Sequence, residues 1–368
     1  VSNTQDVRIE WTSCIKAIER LEPEWRILEA TVKNRTVHSS FDWVFPWYRH
    51  FTGAGLAKYG QPLLGIAWQG DQLVGLAPLV RRESRFSRVM MRRVDFVGFN
   101  AETGEFLITD GQPSLVGAFM ASLFESVKFD LVQLRGFQTN SREFVALEAA
   151  AKSRHFNIEL SNYYYPIVNL ADGYDAYYKS RSNKFRRVLK RQTEKINNDF
   201  GGWEIERFTN LDGEQSLRHA LSRVTSIYNS SWKAVNEQHL PNHFIAFYSD
   251  ISTRFAANTK LDLSILSIGS QDAAFFLAIE DAGVLYDVFV SYDQRFKALR
   301  PGEFLMKQLF PSIAERNCRT LVSHGAHQYK KVWSTDEIPR VRVFIFSRRI
   351  RALIGWALQF KIRPFLKR

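Results

Sequence analysis

The chain has 368 residues, 45% hydrophobic and 24% charged, which is the balance of a soluble globular protein with material for one large core or two ordinary ones. Two cysteines far apart in sequence, Cys14 and Cys318, define neither a disulfide framework nor a zinc site, so no metal is expected and a reducing compartment fits. The formal charge of +12 is unevenly spread: nine Lys and Arg and no acid lie between Arg340 and Arg368, which leaves the remainder near balance and argues against a protein that grips nucleic acid with its whole surface.

No apolar run reaches the roughly 18 residues of a membrane span, and Val1–Asp6 is too polar for a secretion signal. Phe41–Phe51 reads as an aromatic helix. Leu64–Gln69, a turn at Gly70 and Leu73–Val80 read as a hairpin, and Leu131–Gly136 reads as a strand. The same order returns about 190–200 residues later as Phe244–Phe255, then Leu263–Ile268, Gly269 and Ala273–Ile279, then Thr320–Gly325. Three matches in order predict a duplicated domain. The seam is expected between Ser161 and Asp172, where Pro166 and Asp172-Gly173 offer turn chemistry. Tyr174–Phe200 reads as one long basic helix closed by Gly201-Gly202. Glu280-Asp281 with Gly283 reads as a hairpin turn.

The segment Leu285–Trp333 carries the most information. It holds a strand (Leu285–Val290), Arg300-Pro301-Gly302-Glu303, an amphipathic stretch to about Arg316, the apolar run Thr320–Val322, and then Gly325-Ala326-His327-Gln328-Tyr329-Lys330. A strand, loop, helix and strand in that order aim free backbone N–H groups at the loop, where a helix N-terminus favours phosphate. Neither a Walker lysine motif nor a dinucleotide glycine fingerprint is present, so the leading phosphate-bearing ligand is acyl-coenzyme A.

Arg300-Pro301-Gly302, the strand at 320–322, Gly325 through Tyr329-Lys330, and Trp333 resemble the cellulose-biosynthesis (CelD/BcsL) acetyltransferases of the Gcn5-related N-acyltransferase (GNAT) superfamily. Lys184–Arg191 and Ser230-Ser231-Trp232-Lys233 fit the same pattern. The likeness is densest over 160–335, and His327 departs from the acidic residue usual near that turn. It implies an α/β fold of tandem GNAT-like domains, with mixed, mostly antiparallel sheets flanked by helices. The expected divisions are a degenerate N-terminal domain over 1–160, a catalytic domain over 161–339 and a basic amphipathic tail over 340–368.

Acyl transfer from a thioester needs a pyrophosphate site, a base for the attacking group and an acid for the departing thiolate. Lys297, Arg300, Gly302 and Glu303 are the expected coenzyme loop, with Lys330 as a further phosphate or oxyanion contact. Tyr329 is the candidate acid, because a phenol near pKa 10 keeps its proton at neutral pH. His327, and after it His324, is the candidate base. Asp287 is expected to orient the base or bind substrate; Trp232 and Tyr286 are expected to contact the acceptor. The competing assignments are a surface turn at 300–303, a packed Tyr329, structural histidines and a core Trp232.

Arg348–Arg368 interleaves Ile350, Leu353, Ile354, Trp356, Phe360 and Ile362 with basic residues, which suits a helix on an anionic membrane or one packed on the second domain. The resemblance implies acyl transfer from acyl-CoA to an amine or hydroxyl of a cell-envelope acceptor, a polysaccharide precursor or an amino lipid. That places the protein in the cytoplasm, at the inner face of the membrane. Two alternatives stand beside it. One is a Fem-type aminoacyl transferase using charged tRNA, although no heptad pattern predicts that family's coiled-coil arm. The other is a non-catalytic module for polysaccharide or membrane.

Overall fold

The computed structural model describes residues 7–53, 56, 58–98, 104–209, 213–237, 241–316, 318–323 and 328–366. They divide into two units, Val1–Tyr163 with Pro339–Arg368, and Tyr164–Ile338. Strand β7 (Asn157–Asn169) carries the chain from the first unit to the second, and β13 (Asp336–Phe346) carries it back. The seam therefore lies inside a strand, where a turn was expected.

The first unit opens with β1 (Val7–Thr12), α1 (Ile15–Arg20), α2 (Glu22–Thr31) and α3 (Phe41–Phe51). Then come β2 (Gln61–Gln69), β3 (Gln72–Phe86), β4 (Val89–Phe96), the short β5 (Leu107–Ile108), α4 (Ser114–Ser126), β6 (Leu131–Phe137) and α5 (Arg142–Ser153). The sheet runs β1-β2-β3-β4-β6-β13, antiparallel except for the parallel pair β4–β6. One face packs against Val116, Phe119, Met120 and Leu123 of α4 and Phe144, Leu147 and Ala151 of α5.

The second unit repeats that order. After α6 (Gly173–Ser180) and α7 (Asn183–Phe200) come β8 (Trp203–Phe208), α8 (Gly213–Asn229), α9 (Trp232–Glu237) and α10 (Asn242–Ala257). They are followed by β9 (Leu261–Ile268), β10 (Gln271–Asp281), β11 (Val284–Tyr292), α11 (Pro301–Glu315) and β12 (Thr320–Val322). Its strand order is β8-β9-β10-β11-β12-β7, again with one parallel pair, β11–β12. Phe304, Leu305, Leu309 and Phe310 of α11 and Phe185, Leu189 and Ile196 of α7 cover one sheet face. The duplication extends to register. Gln72 faces Gln69 and Gln271 faces Ile268, and each hairpin then skips one residue, Val74 in the first and Ala273 in the second.

Two expectations change. The stretch 174–200 is two helices, because Arg181 is extended and the Ser182 side chain caps α7 by accepting from Phe185 N at 3.2 Å. It ends as predicted, with Gly201 left-handed at φ 75°. The expected tail over 340–368 is in its first part a core strand. Val341, Val343, Ile345 and Phe346 are fully buried, and β13 pairs with β6 from Val341–Phe137 to Phe346–Leu131. Only α12 (Ile350–Trp356), the π-helical turn Ala357–Ile362 and α13 (Arg363–Leu366) extend beyond it. The alternation in Val341, Val343 and Ile345 is a strand signal that the charge count concealed. Among the described residues no helix is long and apolar enough to cross a membrane.

Candidate functional site

Strands β11 and β12 pair only at Val284–Thr320, Leu285–Leu321 and Tyr286–Val322. Asp287 is the next residue on β11, and no described strand continues the pairing beyond it. On the other side of β11, Leu277 faces Phe289 while Ala278 faces Asp287, so Val288 is the extra residue of a β-bulge. A bulge leaves one residue out of the ladder and re-aims its neighbours, a feature concentrated beside binding sites.

Asp287 is 8% exposed. Its Oδ2 accepts from Ser323 Oγ at 2.6 Å and from Lys330 Nζ at 3.2 Å, and Lys330 is 4% exposed. A buried carboxylate and ammonium are tolerable only as such a pair, with further hydrogen bonds. Lys330, expected from the sequence as a phosphate or oxyanion contact, points its ammonium inward to Asp287. Tyr286 is buried on the preceding residue. The ring of Tyr248 on α10 stacks on Phe289 at 4.2 Å between centroids. Burial, with the neighbouring Tyr228 and Asp287, holds its phenol well above the usual tyrosine range, so it keeps its proton.

Register shows what the first unit has at the same places. By the matched hairpins Asp287, opposite Ala278, corresponds to Phe96, opposite Leu79. By the matched parallel pairs Ser323 corresponds to Leu134, each one residue beyond the last pair, Tyr286–Val322 and Asp95–Gln133. Phe96 and Leu134 belong to the apolar core. The polar cluster thus belongs to the second unit alone.

Past β11, Asp293 caps a 3-10 turn over Gln294–Leu299 by accepting from Arg295 N at 2.8 Å. Lys297 on that turn is exposed. Arg300 is left-handed at φ 48° and ψ 55°, and Pro301 starts α11 with its ring-fixed φ. Gln192 of α7 donates to the Leu299 and Arg300 carbonyls and so ties the loop to that helix. Gly302 has no positive φ, and a Cβ added there would find only Tyr292 Cδ1, at 3.8 Å. Nothing in the fold demands glycine at 302, so the space it leaves lies open beside the α11 N-terminus. Glu303, expected in the coenzyme loop, pairs with the buried Lys307 and lies 3.7 Å from Arg300.

Trp232 is 44% exposed at the start of α9, which removes core packing as its explanation. The expected turn at Glu280-Asp281 falls at Ala282-Gly283, both left-handed, while Asp281 stays in β10 and pairs with Lys260 at 2.7 Å. Burial pushes the Cys318 thiol up to about 11, so it is no nucleophile at neutral pH. Sequence reasoning missed Ser323, which nothing local distinguishes, and the buried Ser291; the hydroxyls of Ser291 and of Ser231, the latter in the Ser230-Ser231-Trp232-Lys233 pattern, have no hydrogen-bond partner among the described residues. The backbone of Tyr329 lies in a 3-10 turn over Gln328–Val332. His324 and His327, the expected bases, lie outside the described residues.

The family model described as acetyltransferase (GNAT) domain matches residues 183–331, all within the second unit. No curated protein sequence matches the chain. The crystal structure of FemX is similar over 94% of this chain and 100% of its own, at a TM-score of 0.58 and 10% identity. A conserved protein of unknown function from Bacteroides thetaiotaomicron VPI-5482 is similar over 92% and 100%, at 0.52 and 13%. A tandem GNAT protein from the clavulanic acid biosynthesis pathway covers 92% and 98%, at 0.47 and 8%. At these identities the likeness to the first two is one of fold, a mixed α/β fold with a mostly antiparallel sheet flanked by helices.

Proposed function

We propose that the second unit transfers an acyl group from acyl-CoA to an amine or hydroxyl of a cell-envelope acceptor, a polysaccharide precursor or an amino lipid. The carrying observation is the Asp287–Ser323–Lys330 cluster at the point where β11 and β12 stop pairing, with its apolar counterpart in the first unit. The open end of a parallel strand pair is where an α/β fold takes its ligand. In this reading the coenzyme pyrophosphate meets the α11 N-terminus at Gly302, with Lys297 and Arg300 adding charge.

The acceptor nitrogen or oxygen attacks the thioester carbonyl, the carbon–sulfur bond breaks, and the acceptor loses a proton as the thiolate gains one. Tyr329 supplies the proton to sulfur, and His327 or His324 takes the one from the acceptor. The Lys330 ammonium, fixed by Asp287, stabilises charge that develops on the carbonyl oxygen. Trp232 offers the acceptor a flat apolar wall. Such acceptors are met at the inner face of the cytoplasmic membrane, which is the compartment this reading implies.

One observation favours a second donor. Lys184, Arg187 and Arg191 lie along one exposed line of α7, and no ion pair joins them to a described acid. That stripe suits a polyanion, and with a FemX-like fold it keeps aminoacyl transfer from charged tRNA in view. A panel of acyl-CoA lengths, with simple amines and amino sugars as acceptors and mass spectrometry as readout, tests the first reading. Acceptor-dependent release of free CoA is expected. Consumption of aminoacyl-tRNA with every thioester untouched would replace it with the second, and inertness toward both would leave a binding module.

A further inference from the structure

We propose that α12 and the turns after it form a docking face for an anionic lipid bilayer, a role independent of the acyl-transfer reading. The helix is fixed to the first unit by one side. Ala352 and Gly355 are buried there, and Trp356 and Phe360 pack against the cluster of Met91, Leu131, Phe344 and Phe346. A Cβ on Gly355 would come within 1.9 Å of Met91 Cε, so the contact is close. Trp356 Nε1 donates to Glu159 Oε1 at 2.8 Å and Lys361 lies 3.8 Å from the same carboxylate, which together secure the segment against the first unit.

With that side occupied, the other apolar side faces solvent. Ile350 is 77% exposed, Leu353 38% and Ile354 48%. The spacing i, i+3, i+4 puts the three on one stripe. Ile362, at 46%, is a further exposed apolar side chain about two turns on. Arg348, Arg349 and Arg351 are exposed at one end of this stripe and Arg363 at the other, with no acid anywhere from Arg340 to Arg368. Exposed branched aliphatics flanked along the segment by cations and by no acid of its own match an interface of acyl chains beneath anionic headgroups. A second copy of this chain is the poorer occupant, because a two-fold contact would press the same arginines together and the segment carries no acid of its own to separate them.

The test uses the full chain, with vesicles of phosphatidylcholine alone or mixed with phosphatidylglycerol. Co-sedimentation with the mixed vesicles and little with the neutral ones is expected. Replacing the three arginines, as Arg348→Gln, Arg349→Gln and Arg351→Gln, should weaken binding about five-fold per residue, roughly a hundred-fold together. The triple Ile350→Asn, Leu353→Asn, Ile354→Asn variant should keep the thermal transition, since these side chains are exposed, yet lose the fraction bound at high salt, because burial is not screened. Equal sedimentation with both vesicle types, or unchanged binding of the asparagine variant, overturns the proposal. So does a dimer in light scattering that the asparagine substitutions dissolve, which would give the face to a second copy.

Discussion

Lys330 reaches back across 43 residues of sequence to hold Asp287 at 3.2 Å, with both side chains nearly closed off from water. Each charge is tolerable there because of the other. Removing one partner leaves a buried, uncompensated charge, which costs about 3–5 kcal/mol, whereas removing both together costs much less. Lys330→Met and Asp287→Leu should each shift the urea midpoint strongly, and the double variant should recover most of that loss. If Lys330 also stabilises the oxyanion, the recovered double variant stays inactive with its substrate affinity little changed. Full activity in the double variant would assign the pair to structure alone.

The open space at Gly302 separates ligand loss from fold loss. A Cβ there meets only Tyr292 Cδ1, at the ordinary contact distance of 3.8 Å, so Gly302→Val should unfold at nearly the wild-type temperature. It should also fill the approach to the α11 N-terminus and weaken acyl-CoA binding ten-fold or more, about 1.4 kcal/mol, by calorimetry. Unchanged affinity in a folded Gly302→Val protein would move the coenzyme elsewhere.

Elements encoded locally were legible in the sequence. Phe41–Phe51 is a helix as read, the hairpins turn at Gly70 and Gly269, and Arg300-Pro301 opens α11, because turn residues and periodicity act over a few residues. The break at Arg181-Ser182 was missed because Ser182 as a cap competes with a strong helical pattern on both sides. The return of β13 to β6 was missed for a different reason. Nothing in Val341–Phe346 says which of the two repeats it will complete, and pairing partners more than 200 residues apart leave no local trace. The joining of Ser323, Asp287 and Lys330 is illegible for the same cause.

Acid stability should respond to Asp272. The hydrogen bonds from Arg223, at 2.9 and 2.7 Å, hold this carboxyl below the ordinary aspartate range against the opposing effect of burial. A carboxyl whose folded pKa is depressed contributes stability above the unfolded value, near 3.9, and loses it as pH falls through the folded value. Asp272→Asn should therefore be less stable than wild type at neutral pH, and the gap should close below about pH 4. Urea midpoints measured between neutral pH and pH 3 test this; a gap that stays constant would assign the cost to packing.

Two truncations distinguish a tail from a core strand. A chain ending at Ile338 loses β13, including Val341, Val343, Ile345 and Phe346, all fully buried. Each contributes about 1.5–3 kcal/mol of burial, so the four together approach the whole 5–15 kcal/mol stability of a typical domain. The loss also strips β6 of the strand it pairs with, from Leu131 to Phe137, and leaves those backbone groups open to association. This chain should aggregate, or its first 163 residues should be digested rapidly by protease. A chain ending at Arg349 keeps β13 and loses only the helical segment over Met91 and Phe344. It should stay folded at reduced stability, with near-ultraviolet circular dichroism close to that of the full chain. If instead the shorter chain folds as well as the longer one, β13 contributes little to the first unit, and the expectation of an independent tail from Arg340 onward regains its ground.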